Sequence, residues 1–259
     1  MKTQPLLGIV ILSLLLVGTG VPRAAARGAD WPSGSLTHAD DIGFIAVGVD
    51  FEEQKRDLHD DTHSNAILRS RAVYGMLNLD LLNWFTIMGG AGQIEVKPHK
   101  YHDYEDPGLI WTAGARAVLW DHNVAHPPFL ANRLRLDGAV SYWESESEYF
   151  GYDMEWEELR AALVFSAEMF VQERGQRTDV YPYSVVFSVG AVYSEIEGEA
   201  ETGLSGFAEH LGTPVEFEGA EDVGGLLGVD IYISHNWSLS GEARLFQNTT
   251  LTVGSAFHF

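Results

Sequence analysis

The sequence predicts an all-β chain that closes into a transmembrane, antiparallel up-and-down β-barrel of about ten strands. Three observations support this fold class. Ten segments alternate between apolar and polar residues, as strands with two different faces do. Beyond residue 26, no apolar run approaches the roughly 18 residues that a membrane-spanning helix needs. The segment Thr249 to Phe259 has one apolar face and the length of a membrane-spanning strand.

The N-terminal residues have the features of a cleavable signal peptide. Lys2 supplies a basic start, Leu6 to Val17 form an apolar core, and Ala24 to Ala26 offer the small residues that signal peptidase recognises. The core is short for a transmembrane anchor, which is the alternative interpretation. We therefore expect a signal peptide over 1–26, a polar tether over 27–41 and a barrel domain over 42–259.

Composition limits what holds the barrel together and what it binds. The chain has no cysteine, so hydrogen bonding and packing must stabilise it without disulfides. Its formal charge is −21, and removing Lys2 and Arg23 with the signal peptide gives −21 − 2 = −23. A chain this acidic lacks the basic surface that binds nucleic acid. It is compatible with acidic loops that attract cations, although solubility alone would also favour such loops.

The ten alternating segments follow one another with short interruptions. They cover residues 42–55, 64–79, 84–96, 109–121, 132–146, 155–170, 181–196, 222–234, 237–246 and 249–259. Each apolar register is expected to face lipid, apart from the third segment, whose two registers are similar. The expected lipid-facing residues include Ile45, Val49, Phe51, Leu68, Tyr74, Met76, Trp111, Leu119, Leu134, Tyr142, Leu163, Phe165, Phe187, Val189, Leu227, Ile231, Leu239, Leu251, Val253 and Phe257.

An even number of strands places both ends of the barrel on one side. Short links at 80–83 and 234–236 then lie on that side, together with longer links at 122–130 and 172–180. The opposite side carries the loops 56–63, 97–108, 147–154, 197–221 and 247–248. Eight strands would result if 64–79 and 84–96 were a soluble hairpin. Twelve would result if 197–221 contained another strand.

A soluble β-sandwich would also alternate, so a second feature must distinguish the two folds. Aromatic residues stand near the expected ends of the lipid-facing registers, where membrane barrels carry aromatic girdles. The candidates are Trp84, Trp111, Trp120, Tyr142, Tyr183, Tyr193, Trp237 and Phe259. A sandwich does not need this placement, so the barrel is favoured.

The C-terminal strand resembles the closing strand of bacterial outer-membrane β-barrels. Such strands typically end on an aromatic residue with apolar residues at every second position before it, as Phe257 and Phe259 do here. The resemblance implies an outer-membrane location with both barrel ends in the periplasm. It also implies that Phe257 and Phe259 act as an assembly signal for the barrel-assembly machinery, and that outer-membrane lipid and lipopolysaccharide surround the barrel.

The registers expected to face the lumen carry many charges of both signs. A lumen ionic network is predicted from Asp50, Glu52, Arg69, Arg71, Arg116, Arg135, Asp137, Glu158, Arg160, Asp230, Glu242 and Arg244, and Glu168 lies on the same face. In a narrow barrel such groups pair with one another, because an unpaired buried charge is strongly destabilising. The structural interpretation is that these ion pairs plug the lumen. The alternative is an ion-selective constriction in a narrow channel.

Histidines and acids cluster in the expected outer loops. One loop holds Asp57, His59, Asp60, Asp61 and His63, and the next holds His99, His102, Asp103, Glu105 and Asp106. These residue types could bind a metal, but loops without a rigid frame rarely do, so no metal site and no cofactor are expected. Loose binding of divalent cations is more plausible at Glu197, Glu199, Glu201, Glu209, Glu216, Glu218, Glu221 and Asp222.

Two families of outer-membrane hydrolase share this architecture. The acids and histidines at the expected outer rim resemble those of omptin proteases, but their paired arrangement on strands is missing. His235 and Ser238 are similar to the His-x-Ser pair of lipid A deacylases, but their spacing is wrong. We therefore expect no catalytic residues and a non-enzymatic surface or envelope-structural barrel. The alternatives are a narrow passive channel and a rim-active hydrolase.

Overall fold

The structure, a computed structural model, describes eleven strands and their nearest connections. The described residues are 45–60, 65–82, 84–97, 104, 106–123, 133–149, 152–170, 184–201, 215–219, 223–234, 237–245 and 249–259. The strands are β1 (Ile45–Asp60), β2 (Asn65–Leu82), β3 (Phe85–Lys97), β4 (Gly108–Asn123), β5 (Arg133–Tyr149), β6 (Tyr152–Phe170), β7 (Ser184–Ala200), β8 (Val215–Gly219), β9 (Val223–Ser234), β10 (Trp237–Leu245) and β11 (Thr249–His258). The predicted signal peptide and tether lie outside these residues.

Ten of these strands form a closed antiparallel ring, as predicted. Each pairs with its neighbours in the order β1 to β7 and then β9, β10 and β11, and β11 pairs with β1 to close the ring. The seam runs from Ala46 opposite His258 to Gln54 opposite Thr250. At its end the Phe259 N–H donates to the Ile45 carbonyl at 2.9 Å. Closure satisfies the strand edges, which lipid could not do.

The two rims of the barrel differ in height around the ring. We call the rim that carries Ile45 and His258 the terminal rim and the opposite one the far rim. Strands β5, β6 and β7 have 17, 19 and 17 residues, whereas β9, β10 and β11 have 12, 9 and 10. One side of the wall therefore extends well past the other at the far rim.

The additional strand, β8, lies above the short side of the wall. It pairs with β7 from Glu197 onward and with β1 from Leu58 onward, so it joins these two strands a second time. The segment 197–221 is therefore not simply a loop, because it contains the end of β7 and all of β8. Phe217 of β8 is buried inside. A side-chain carbon at Gly198 would overlap the Phe217 ring, so this glycine makes room for it.

Most strands face as their alternation predicts. Phe165 and Val189 are 40% and 52% exposed on the outer surface, and the third segment turns Met88, Ile94 and Val96 inward. In β4 a register shift between Val118 and Trp120 brings Trp120 to the outer surface, although Arg116 on the same strand faces inward. Outward aromatics occur near both rims, among them Trp84, Trp120, Trp237 and Phe259 near the terminal rim and Trp111 and Tyr142 nearer the far rim.

The facing predicted for β2 is wrong. Its apolar register, with Leu68, Tyr74 and Met76, is buried inside the barrel, and Arg69 and Arg71 lie on the outer register. The cause is the far half of the lumen, which is apolar and therefore accepts apolar side chains. Its buried cluster includes Leu58, Leu68, Ile94, Val96, Ile110, Met154, Trp156, Ile196, Ala200 and Phe217.

Candidate functional site

The lumen holds ten of the twelve residues predicted to form its ionic network. Each of the ten is at most 7% exposed, namely Asp50, Glu52, Arg116, Arg135, Asp137, Glu158, Arg160, Asp230, Glu242 and Arg244. The other two, Arg69 and Arg71, are outside. Arg71 is 46% exposed and forms an ion pair with Glu95 of β3 at 2.5 Å.

One group of these charges crosses the lumen. We call Glu52, Arg56, Glu158, Arg160, Glu242 and Arg244 the central cluster. Arg160 of β6 contacts Glu52 of β1 at 3.0 Å and Glu158 on its own strand at 2.7 Å. In the ring of ten, four strands separate β1 from β6 in either direction, so these strands are opposite one another. The Arg160–Glu52 pair therefore spans the barrel from wall to wall.

Neighbouring side chains hold both partners of this pair in place. The guanidinium carbon of Arg160 lies 4.3 Å from the centre of the Trp143 ring, and Trp143 packs edge-on against Tyr74. The Tyr74 hydroxyl donates to Glu52 at 3.2 Å. Arg244 approaches the same carboxylate at 3.5 Å and Glu242 at 2.7 Å. With three arginines and three glutamates, the central cluster has no net charge.

Arg56 makes a second crossing, just below β8. It contacts Glu158 at 3.1 Å and donates to the Ser194 hydroxyl at 2.7 Å and the Ser194 carbonyl at 2.8 Å. We call β9, β10 and β11 the short wall; it pairs with β1 as far as residue 54 and with β7 as far as residue 193. Strand β8 pairs with β1 from residue 58 and with β7 from residue 197. In the described part of the chain, residues 55–57 of β1 and 194–196 of β7 lie between these two sets of pairings. Arg56 therefore bridges the interval in which no described strand joins β1 to β7.

A second group of charges lies closer to the terminal rim and stays on one side of the lumen. We call Arg116, Asp121, Arg133, Arg135, Asp137 and Glu168 the wall cluster. Asp137 accepts from Arg135 at 2.6 Å and lies 3.7 Å from Arg116, and Arg133 pairs with Asp121. Glu168 is the cross-strand partner of Arg133. All these contacts lie within one strand or between neighbours among β4, β5 and β6, so none crosses the lumen.

The short wall contributes further buried polar groups. The space that a side chain at Gly254 would need is occupied by the Asp50 carboxylate, so this glycine lets an acid fold against the wall. Near the terminal rim, the Ser238 hydroxyl and His258 Nε2 lie 3.0 Å apart. Both residues are fully buried, so this serine is closed to a substrate carbonyl. His235 lies outside the described residues.

Several residues of the site were missed from the sequence. Arg56 lies in the predicted loop 56–63, yet the alternation of Asp50, Glu52, Gln54 and Arg56 continues the inward register and indicates a longer strand. That extension also places His59 and Asp60 within β1. Asp121 was hidden by the irregular register of β4. Arg133 falls in the predicted fifth segment, but it was not assigned to the network.

Outside the barrel, eight glutamates form what we call the carboxylate ladder. Glu144, Glu157, Glu197 and Glu218 lie directly opposite one another across β5 to β8, and Glu146, Glu155, Glu199 and Glu216 form the next row. All eight are exposed. Like charges directly opposite one another are destabilising in a sheet. The expectation that acidic segments here bind divalent cations loosely stays a prediction.

Other features of the described residues concern metal and membrane helices. No group of three or more histidine, aspartate or glutamate side chains there is arranged to hold a metal ion. The predicted histidine and acid groups around 61–63 and 99–103 lie outside the described residues. No helix in the described part of the chain is long and apolar enough to cross a membrane.

Comparison with known proteins finds similarity to solved structures alone. No family model matches the chain, and no curated protein matches its sequence. Among solved structures, Ail of Yersinia pestis, in complex with the heparin analogue sucrose octasulfate, has a TM-score of 0.31 at 10% identity over 84% of this chain and 99% of Ail. The translocator domain of NalP from Neisseria meningitidis scores 0.34 at 10% identity over 84% and 88%. Omp33, an outer membrane protein of Acinetobacter baumannii, scores 0.22 at 10% identity over 82% and 99%.

Proposed function

We propose that this chain is an outer-membrane protein with a closed lumen and a non-enzymatic surface or envelope-structural role. The observation that carries the proposal is the Arg160–Glu52 ion pair, which joins opposite strands of the ring. Above it, the apolar residues of the far half are packed against one another and against Phe217 of β8. A water path would have to pass both the ion pairs and this apolar layer.

The outer surface supports a membrane location. The outward register carries large apolar side chains such as Val49, Phe165 and Leu227, each at least 40% exposed. In β4, Trp111 and Trp120 are nine residues apart, which corresponds to about 30 Å along a strand. A strand tilted by about 45° would then cross about 21 Å, close to the roughly 25 Å apolar band of outer-membrane barrels.

The far rim is the side that we assign to the cell exterior. Periplasmic termini are typical of outer-membrane barrels, and the strands here extend furthest at the opposite rim. The carboxylate ladder lies on that extension, because Glu144 is level with Trp111 and two residues beyond Tyr142 toward the far rim, and Glu146 lies further out. This exposed wall, rather than the lumen, is the part available to partners outside the cell.

Location and closure are tested together in isolated membranes and liposomes. We expect the protein to fractionate with the outer membrane and to change its electrophoretic mobility on heating, as folded barrels do. Proteoliposomes that contain it should swell no faster in small sugars or amino acids than empty liposomes. Rapid swelling with any of these solutes would contradict the closed lumen and favour the channel.

A further inference from the structure

In the part of this acidic chain that the structure describes, the outward-facing cations are confined to one place. Among the described residues, six arginines lie in the lumen, in the central and wall clusters. The outward-facing ones are Lys55, Arg69, Arg71 and Lys97. All four belong to β1, β2 and β3, at their far-rim ends. The carboxylate ladder begins on β5, β6 and β7 at the other side of the ring and reaches β1 through β8, so the outward cations and the ladder lie on different strands.

Three of these cations stand directly opposite one another. Lys55 pairs in register with Arg69, and Arg69 with Lys97, and we call these three residues the basic rung. One row below, Arg71 lies between Glu53 and Glu95 and forms an ion pair with Glu95. Asp57 is the outward acid one step above on β1. Arg71 therefore offsets one of the nearby carboxylates, and the rung itself remains positive.

Such a row is unfavourable in an isolated barrel. Like charges directly opposite one another destabilise a sheet, and within the described residues no ion pair joins the rung to a carboxylate. The Tyr104 ring adds to the site, because it covers Arg71 at 4.0 Å and lies 5.5 Å from the Lys97 ammonium. A bound anion would relieve the repulsion.

The position of the basic rung relative to the apolar surface indicates which kind of anion would bind there. Two rows below it lie Phe51 and Val73, which belong to the exposed apolar surface. Four residues along a strand correspond to about 13 Å, or about 9 Å along the membrane normal for a strand tilted by about 45°, so the rung lies at the level of the lipid headgroups. Phosphate accepts hydrogen bonds from both lysine and arginine, and basic clusters at this depth attract anionic lipid.

We propose that the basic rung binds the phosphate groups of an anionic lipid in the outer leaflet. The proposal rests on the outer-membrane location proposed above, and it names the surface through which the barrel contacts that leaflet. Bound lipid would fix β1, β2 and β3 on the membrane, while the carboxylate ladder on β5 to β8 repels the same headgroups. The barrel therefore has one lipid-binding face.

The test uses the full chain, folded into phosphatidylcholine nanodiscs that contain diphosphorylated lipid A as a minor component. The lipid A that remains with each barrel after detergent exchange is counted by native mass spectrometry. We expect the triple variant Lys55→Gln, Arg69→Gln, Lys97→Gln to bind lipid A about tenfold more weakly or worse. The matched control, Glu144→Gln, Glu157→Gln, Glu197→Gln, changes three charges on β5, β6 and β7 and should bind lipid A at least as well as the wild type.

A second arm needs no variant, so it remains decisive if the triple variant does not fold. Lipid A without its phosphates should bind the wild type about tenfold more weakly, and about 1 M salt should weaken binding of the phosphorylated form. Equal retention of both lipids, or of lipid A by wild type and triple variant, would overturn the proposal. Loss of heparin binding in the triple variant without any change in lipid A would assign the rung to a soluble polyanion instead.

The experiments distinguish a failure of the lipid-binding proposal from a failure of the proposed closed, outer-membrane barrel. Heat-modifiable mobility and protease resistance show whether the barrel is folded in the nanodisc before lipid is counted. An open lumen would appear in the swelling experiment and would leave lipid A binding unchanged. Unselective lipid binding by a closed barrel would contradict the basic rung alone.

Discussion

The central cluster and the wall cluster contain the same numbers of charges but connect different parts of the barrel. Each has three arginines and three carboxylates, all buried within the described lumen. The central cluster joins β1 to β6 across the barrel, whereas the wall cluster joins residues on one strand or on neighbours. In the wall cluster, the carboxylates that contact arginine belong to aspartates, Asp121 and Asp137. In the central cluster they all belong to glutamates, whose side chains are one methylene longer. The difference indicates that side-chain reach decides which charges can close a lumen.

The largest effect should come from removing the residue that makes the crossing. Arg160→Ala leaves Glu52 and Glu158 without their main partner in a buried site, so we expect a loss of about 3–5 kcal/mol in the free energy of unfolding. In Arg116→Ala, Asp137 keeps its 2.6 Å contact with Arg135, so the loss should be smaller. Urea unfolding in lipid vesicles measures both. Equal losses would remove the distinction between the clusters.

A smaller change tests reach without altering charge. Glu52→Asp shortens the side chain by one methylene and should pull it away from Arg160, which lies 3.0 Å away on the opposite strand. Losing a hydrogen bond to a charged group corresponds to about 1.5–3 kcal/mol in the same unfolding experiment. Glu242→Asp is the control, because its Arg244 partner is on its own strand. If Glu242→Asp were as harmful as Glu52→Asp, reach across the lumen would not be the cause.

The smallest expected change in stability concerns the carboxylate ladder, whose charges lie outside both clusters. Glu157 of the carboxylate ladder lies directly between Glu144 and Glu197. Glu157→Gln should therefore stabilise the barrel by about 0.2–1 kcal/mol at low ionic strength. The gain should shrink as salt screens the repulsion. A loss of stability, or a gain independent of salt, would mean that the ladder is compensated by groups in the protein.

The sequence was sufficient to predict the ring but not every facing. Alternation indicated the ten strands because lipid requires one continuous apolar face on each. It misplaced β2 because both of its registers are partly apolar, and only the packing inside the barrel shows that Tyr74 and Met76 fill the lumen. The inward position of Arg116, Glu158 and Arg160 follows from the same alternation.

What the sequence could not predict is which charges meet. Arg160 and Glu52 are separated by 108 positions, and their contact depends on β1 and β6 being opposite in a ring of ten. With eight or twelve strands another pair would face across the lumen. Strand β8 is short, and its five residues alternate too briefly for a strand prediction. Its place between β7 and β1 depends on the different heights of the wall.

The most direct test of a lumen closed by the central cluster is the electrical conductance of single barrels in planar bilayers. We expect wild-type protein to insert without steady current. Arg160→Ala should produce only small, brief conducting steps, because it removes the crossing ion pair while the Arg56 crossing and the apolar layer around Phe217 stay in place. Arg116→Ala should remain closed, since its contacts stay on one wall. A large, stable current from the unmodified protein would contradict the account.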